Sequence, residues 1–291
     1  MSDSMRFLSW KRRIGQSRFV AAVRKPLGII GTVAVVFWLV MALFGQAIEP
    51  YDPLSQQFAR LTPPSSSNWF GTDQVGRDIL SRVIASARVT IPAAVAIVVL
   101  SVMIGSFIGA MAGFLGKAVD EIIMRLTDIV FAFPSIILAM IISASLGPGL
   151  RNAIIAMLLV CWPEYARIVR SMVLTLRSSE YVVAGRLMGR GILSSLFVDV
   201  LPNVITSMLV LAFTDFGGAV LMVANLSFLG LGVIPPQPDW GTMVQEGMND
   251  FSAWWIALFP GLAILTLVIG VNFVGDALQE ALDLHETTAH A

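Results

Sequence analysis

The sequence predicts an all-α polytopic membrane protein with six transmembrane helices, and three observations carry that class. Only 13% of its 291 residues are charged, about half the ~25% of an ordinary soluble domain. Hydrophobic residues make up 56%, and they are gathered into long runs instead of being spread along amphipathic faces. Six of these runs approach the roughly 20 apolar residues that a helix needs to cross the hydrocarbon of a bilayer.

The spans are expected at 27–48, 91–115, 129–146, 153–169, 204–226 and 254–274. The first is longer than a signal-peptide apolar region, and no small-residue cleavage site follows Phe44, so it reads as an uncleaved anchor. Pro163 and Glu164 interrupt the fourth, but 153–162 is unbroken and helical periodicity resumes after it. Cytoplasmic loops are enriched in Lys and Arg. Placing the N-terminus inside puts fourteen basic residues on the cytoplasmic side, among them Arg6, Lys25, Lys117, Arg167 and Arg190, against five outside. The expected topology is therefore N-in and C-in, with Trp254 and Trp255 marking the outer interface. The organisation that follows is a cytoplasmic tail at 1–26, a first helix and extracytoplasmic segment at 27–90, a core at 91–275 and a cytoplasmic tail at 276–291.

Two segments between the spans carry helical patterns. Val75, Ile79, Val83 and Ala87 recur every four residues, with Arg77, Asp78, Ser81 and Arg88 off that stripe. An amphipathic helix lying along the outer interface is expected there. In the inward loop 164–203, Ile168, Val169, Met172, Val173 and Leu176 form one face, opposite Arg167, Arg170 and Arg177, so the fourth span should project beyond the headgroups. Ser178 and Ser179 interrupt it. Ser179 suits the N-cap of a new helix beginning at Glu180, whose carboxylate favours the positive helix end. Gly189 and Gly191 suit its termination. The product is a short helix about 15 Å long on the cytoplasmic face.

The order of residues in that helix, Glu180-Tyr-Val-Val-Ala-Gly-Arg-Leu-Met-Gly189 with Pro202-Asn203 thirteen residues on, resembles the "EAA" loop of ABC-importer permeases. Phe70-Gly-Thr-Asp-Gln-Val-Gly-Arg-Asp78, Leu226-Ser-Phe-Leu-Gly-Leu-Gly232, Trp255-Ile-Ala-Leu-Phe-Pro-Gly261 and Gly275-Asp-Ala-Leu278 are similar to the dipeptide/oligopeptide/nickel branch, and the long outer segment before the second span to its C-type subunit. The resemblance covers roughly 27–284 and implies a type I ABC importer permease fold in the bacterial cytoplasmic (inner) membrane. It implies a B-type permease, two ABC ATPase subunits and an extracytoplasmic solute-binding protein as partners, with di- or oligopeptides as cargo. Nickel chelates, glutathione or another small solute are the alternatives. By the same resemblance Glu180, Tyr181, Ala184, Gly185, Arg186, Gly189 and Pro202 form the ATPase-coupling element. Small residues at Ala184 and Gly185 allow close approach of another surface, and Gly189 a sharp exit. Three positions depart from the family pattern: Gly185, where Ala is usual, Asp199, and Val223, where a Glu is common nearby.

No catalytic residue is expected. A nucleotide-binding Gly-x-x-x-x-Gly-Lys-Ser/Thr loop fails at Gly116-Lys117, because Met111 and Ala118 occupy the other required positions. ATP and Mg therefore belong to the partner ATPases, and no cofactor is expected on this chain. Cys161 lies alone in an apolar run, and His285 and His290 sit in the tail, so no metal site is expected. Net charge is zero, which gives no case for nucleic acid. Gly105, Gly109 and Gly113 form a small-residue face for helix packing, either within the chain or against a second permease. Asp215, within the fifth span, is a candidate translocation-pathway residue; the alternative is a hydrogen bond to a neighbouring helix. Glu164 is expected to pair with Arg167 at i,i+3. A free-standing secondary transporter would need two matching halves, which the sequence lacks, and a non-transporting scaffold would leave the ordered loop motifs without purpose.

Overall fold

A computed structural model describes residues 25–177, 179 and 201–287. The described chain is helical, with α1 Pro26–Ile48, α2 Ile79–Leu115, α3 Lys117–Phe131, α4 Ser135–Leu146, α5 Leu150–Arg177, α6 Leu201–Phe228, α7 Trp240–Met248 and α8 Trp255–Thr287. Five of these helices, α1, α2, α5, α6 and α8, are long and apolar enough to cross a membrane.

The sixth crossing is broken. The run expected as one helix at 129–146 is split between α3 and α4, which meet at 91°. Pro134 explains the break, since it disfavours helical backbone at Phe133 and supplies no N–H. Asp120 near the start of α3 pairs with Arg170 near the end of α5. At the far end of α4, the Ser143 hydroxyl donates to the Leu231 carbonyl at 3.4 Å, beyond the opposite end of α6. The bent pair thus carries the chain from one face to the other, which makes six crossings.

Lys25 pairs with Glu280, so α1 begins and α8 runs out at the same face, as an even number of crossings requires. This is termed the terminal face, and the opposite one, carrying residues 49–78, the cap face. α8 continues as helix through Thr287, well into the segment expected as a tail.

α2 corrects a second expectation. No separate interfacial helix precedes the second span, because helix is continuous for 37 residues from Ile79. Asp78 starts it, accepting a hydrogen bond from the Ser81 N–H at 2.8 Å, as an N-cap should. Its first turns are buried all round: Ile79, Val83 and Ala87 on the expected stripe, and Ser81, Arg82 and Ser86 off it. A helix of 37 residues is about 55 Å long, so α2 extends from the membrane into the cap and is enclosed there. Trp255, expected at an interface, is also buried, its indole N–H donating to the Thr72 carbonyl at 3.1 Å.

α2 runs parallel to α5 at very short separation. A Cβ added at Gly105 would lie 2.5 Å from the Trp162 carbonyl oxygen, and one at Gly109 would lie 2.2 Å from that of Ala166. At Gly113 the neighbour is the Arg170 carbonyl at 3.0 Å. The four-residue step recurs on both helices, and such contacts drive association where lipid removes the hydrophobic drive.

Candidate functional site

Charged side chains gather in two places. The first is the cap. Asp73 accepts hydrogen bonds from the backbone N–H groups of Val75 and Arg77, both at 2.9 Å. It also accepts from Arg77 Nε at 2.6 Å and from an Arg82 guanidinium nitrogen at 2.5 Å. Both arginines reach on to Glu246 of α7, at 3.6 and 3.3 Å, and the Gln74 amide donates to the Glu246 carbonyl at 3.0 Å. Burial alone would raise the Asp73 carboxyl, but the Arg77 N–H and the two guanidinium charges outweigh it and hold the group below its ordinary value.

Beside this network, Asp78 accepts from the Asn68 amide at 2.9 Å and from the Ser81 hydroxyl at 2.8 Å. Asp239 caps α7 through the N–H groups of Gly241 and Thr242 at 3.0 and 3.2 Å, and accepts from the Thr90 hydroxyl at 3.0 Å. Burial pushes the Asp239 carboxyl upward against those hydrogen bonds. Glu49 pairs with Arg88 at the floor of an open groove of about 1000 Å³, walled by Pro50, Tyr51, Pro235 and Pro236. Burial raises Glu49 despite the attraction of Arg88.

The second gathering is in the terminal half of α5 and α6. The Tyr165 hydroxyl donates to Asp215 Oδ2 at 2.7 Å, so Asp215 is tied to the neighbouring helix and is half-buried. Glu164 is exposed and is next in sequence to Tyr165. The expected Glu164–Arg167 pair does not form. Arg167 instead reaches Asp128 of α3 at 2.9 Å, its guanidinium 4.5 Å from the centre of the Phe131 ring, a cation–π distance. With Arg170–Asp120, this clamps α3 across α5.

Among the residues of the expected coupling element, Glu180, Tyr181, Ala184, Gly185, Arg186 and Gly189 lie outside the described residues, as does Asp199. Pro202 falls in the first turn of α6. The stems of the intervening loop are described. The Ser179 N–H and hydroxyl both donate to the Leu176 carbonyl, at 3.1 and 2.6 Å, closing α5. Tyr165, Val169 and Val173 of α5 form one apolar cluster with Val204 and Met208 of α6, so the helices entering and leaving the loop are packed together. Gly105, Gly109 and Gly113 face α5 of the same chain. Val223 is 2% exposed within the main core and presents nothing to a passage.

Asp73–Arg77 and Tyr165–Asp215 are among the contacts that escaped the sequence reading. The Asp73–Arg77 spacing at i,i+4 was a usable sign of local pairing, whereas Tyr165–Asp215 joins residues 50 apart and left no local signal. Among the described residues, no group of three His, Cys, Asp or Glu could hold a metal.

Long apolar helices, a broken crossing and a capped face define a polytopic α-helical membrane protein. Residues 105–285 match the family described as "Binding-protein-dependent transport system inner membrane component". The chain is 44% identical over 265 residues to the di/tripeptide transport system permease protein of Pseudomonas aeruginosa, covering 88% of this chain and 86% of that one. It is 43% identical to the nickel transport system permease protein of Escherichia coli K12, over 93% and 96% of the two chains. To the glutathione transport system permease protein of Pectobacterium atrosepticum it is 38% identical, over 94% and 89%. The chain belongs to this binding-protein-dependent ABC permease family and is an inner-membrane component.

Proposed function

We propose that this chain forms one half of the translocation path of an ABC importer for di- or oligopeptides, and that ATP is hydrolysed by partner subunits. The observation that carries the reading is 44% identity to a di/tripeptide permease across nearly the whole of both chains. The partners are a second, B-type permease, two ABC ATPases supplying ATP and Mg chemistry, and a solute-binding protein arriving at the cap face, which is outward. The positive-inside count supports that orientation.

Coupling runs through the helix expected at Glu180–Gly189. Its support is the EAA-like order of residues and the packing of its two stems by the α5–α6 cluster, which allows a push on the loop to reach both helices together. Asp215 borders the path, and Tyr165 fixes its carboxylate. Nickel complexes or glutathione are the second reading of the cargo, favoured by identities of 43% and 38% to permeases for those solutes.

The test is ATP-dependent uptake of labelled dipeptide, nickel and glutathione by the reconstituted complex, with and without its binding protein. Uptake of dipeptide that requires both ATP and the binding protein is expected; uptake by this chain alone on an ion gradient overturns the reading. For the coupling helix, Arg186→Cys in a Cys161→Ala background should crosslink to the ATPase in a nucleotide-dependent way. An active complex with no such crosslink contradicts the assignment.

A further inference from the structure

The outward surface of this chain is not uniform at the depth of the membrane. On α1 the exposed side chains from Leu27 to Phe44 are all apolar, with Val33 63%, Phe37 50% and Leu43 74% exposed, as a lipid-facing helix should be. The terminal half of α5, α6 and α8 is different. Glu164 is exposed there and is next in sequence to Tyr165. The Tyr165 hydroxyl satisfies one oxygen of Asp215.

Among the described residues neither carboxylate forms an ion pair. The two nearest arginines on α5 are committed to α3, Arg167 to Asp128 and Arg170 to Asp120. Three residues beyond Asp215, a Cβ added at Gly218 would meet nothing within 4 Å, so this surface is also open. Asn272 of α8 is exposed and borders it, its Oδ1 lying 2.9 Å from a Cβ placed at Gly217.

Depth decides what faces this strip. Gly275 packs against Thr214, level with Asp215. Glu280, which pairs with Lys25 at the terminal face, lies five residues further along α8, about 8 Å away. An Asp side chain cannot reach across that distance to headgroup water. Ionised groups at such depth face a bundle interior or a water-filled cavity, because lipid does not solvate them.

We infer that the strip formed by Glu164, Asp215, Gly218 and Asn272 is the wall of a water-filled passage, and that its negative charge favours cargo carrying an ammonium group or a metal cation. The inference rests on the importer-permease reading above and adds to it the specificity-determining charge. A passage lined by one sign of charge raises the local concentration of the opposite sign. A peptide's amino terminus and a divalent metal ion both qualify.

The experiment uses the whole complex in lipid nanodiscs, both faces open, with Cys161→Ala as background. Gly218→Cys and, as the lipid-facing control, Val33→Cys are treated with methanethiosulfonate reagents carrying either an ammonium or a sulfonate group. Gly218→Cys should react at least about tenfold faster than Val33→Cys, since a charged reagent does not enter hydrocarbon. At Gly218→Cys the ammonium reagent should outpace the sulfonate reagent by about tenfold. Adding Glu164→Gln should shrink that preference, and Glu164→Asp should restore it.

Reactivity at Gly218→Cys as low as at Val33→Cys overturns the inference, and so does a charge preference that Glu164→Gln leaves unmoved. Both readouts are independent of cargo and of ATP. Failure of uptake with this labelling pattern intact therefore counts against the importer reading alone.

Discussion

The cap and the terminal half of α5 and α6 both place charges where water is scarce, and they treat them in opposite ways. In the cap, Asp73 meets two guanidinium groups and two backbone N–H groups, and Glu246 joins the same arginines. Asp73 and Arg82 have side chains only 1% and 2% exposed, and the network is balanced within the chain. In the terminal half, Asp215 accepts one hydroxyl hydrogen bond from Tyr165, Glu164 is exposed, and among the described residues neither pairs with a cation. Balanced, enclosed charge holds a structure in shape. Unbalanced, exposed charge is what the proposed passage wall requires.

The contrast is sharpest at Arg82. Replacing one member of a buried pair strands its partner, at a cost of about 3–5 kcal/mol. Arg82→Met should therefore cause the largest loss of melting temperature in the purified complex. Asp73→Leu combined with Arg82→Met should recover part of it, because the stranded charge is removed as well.

The same network sets an acid limit. The folded carboxyl of Asp73 lies below its ordinary 3.8, so the unfolded chain binds the proton more readily. Its pairing contributes stability that is fully present above about pH 3.8 and is lost as pH falls through the lower folded value. Acid unfolding curves should show this loss in the parent and not in Asp73→Asn.

Gly109→Val probes the helix contact beneath both regions. With a Cβ placed 2.2 Å from the Ala166 carbonyl, α2 and α5 must separate, which should lower stability by about 1–3 kcal/mol. Tyr165→Phe should cost less, about 0.6–1.7 kcal/mol, the range for interhelical hydrogen bonds in membranes. Glu164→Gln should have the smallest effect on stability, within about 0.5 kcal/mol, as for an exposed position with no ion pair among the described residues. Thermal melts of the purified complex rank all three. A melting temperature for Glu164→Gln as low as that of Arg82→Met would erase the distinction between the two regions.

Spans were legible where apolar runs are long, since hydropathy reports the length that lipid must cover. α1 begins and ends within a residue of expectation, at Pro26–Ile48. The third span misled because the apolar run continues through Ala132-Phe133-Pro134, while the backbone cannot continue as helix there. The cap misled for another reason. A four-residue stripe implies one buried face, yet Ser81, Arg82 and Ser86 are buried too, because the 49–78 segment and α7 fold over the other side of α2. Tertiary enclosure leaves no mark on local periodicity. Among the site residues, the glycine face was visible as spacing and Asp215 as an acid within an apolar run. Tyr165 gave no sign of its role, because its partner Asp215 lies 50 residues away on α6.

On the proposal above, cap charges maintain the fold while the Glu164 strip serves the passage. Arg82→Met and Glu164→Gln, placed separately in one reconstituted complex, test it when melting temperature and ATP-driven uptake per folded complex are measured together. The predicted result is a large fall in melting temperature for Arg82→Met, with uptake per folded complex preserved. For Glu164→Gln the melting temperature should hold and uptake of cationic cargo should fall. Equal uptake by Glu164→Gln and the parent, or a loss explained wholly by unfolding, would contradict the account.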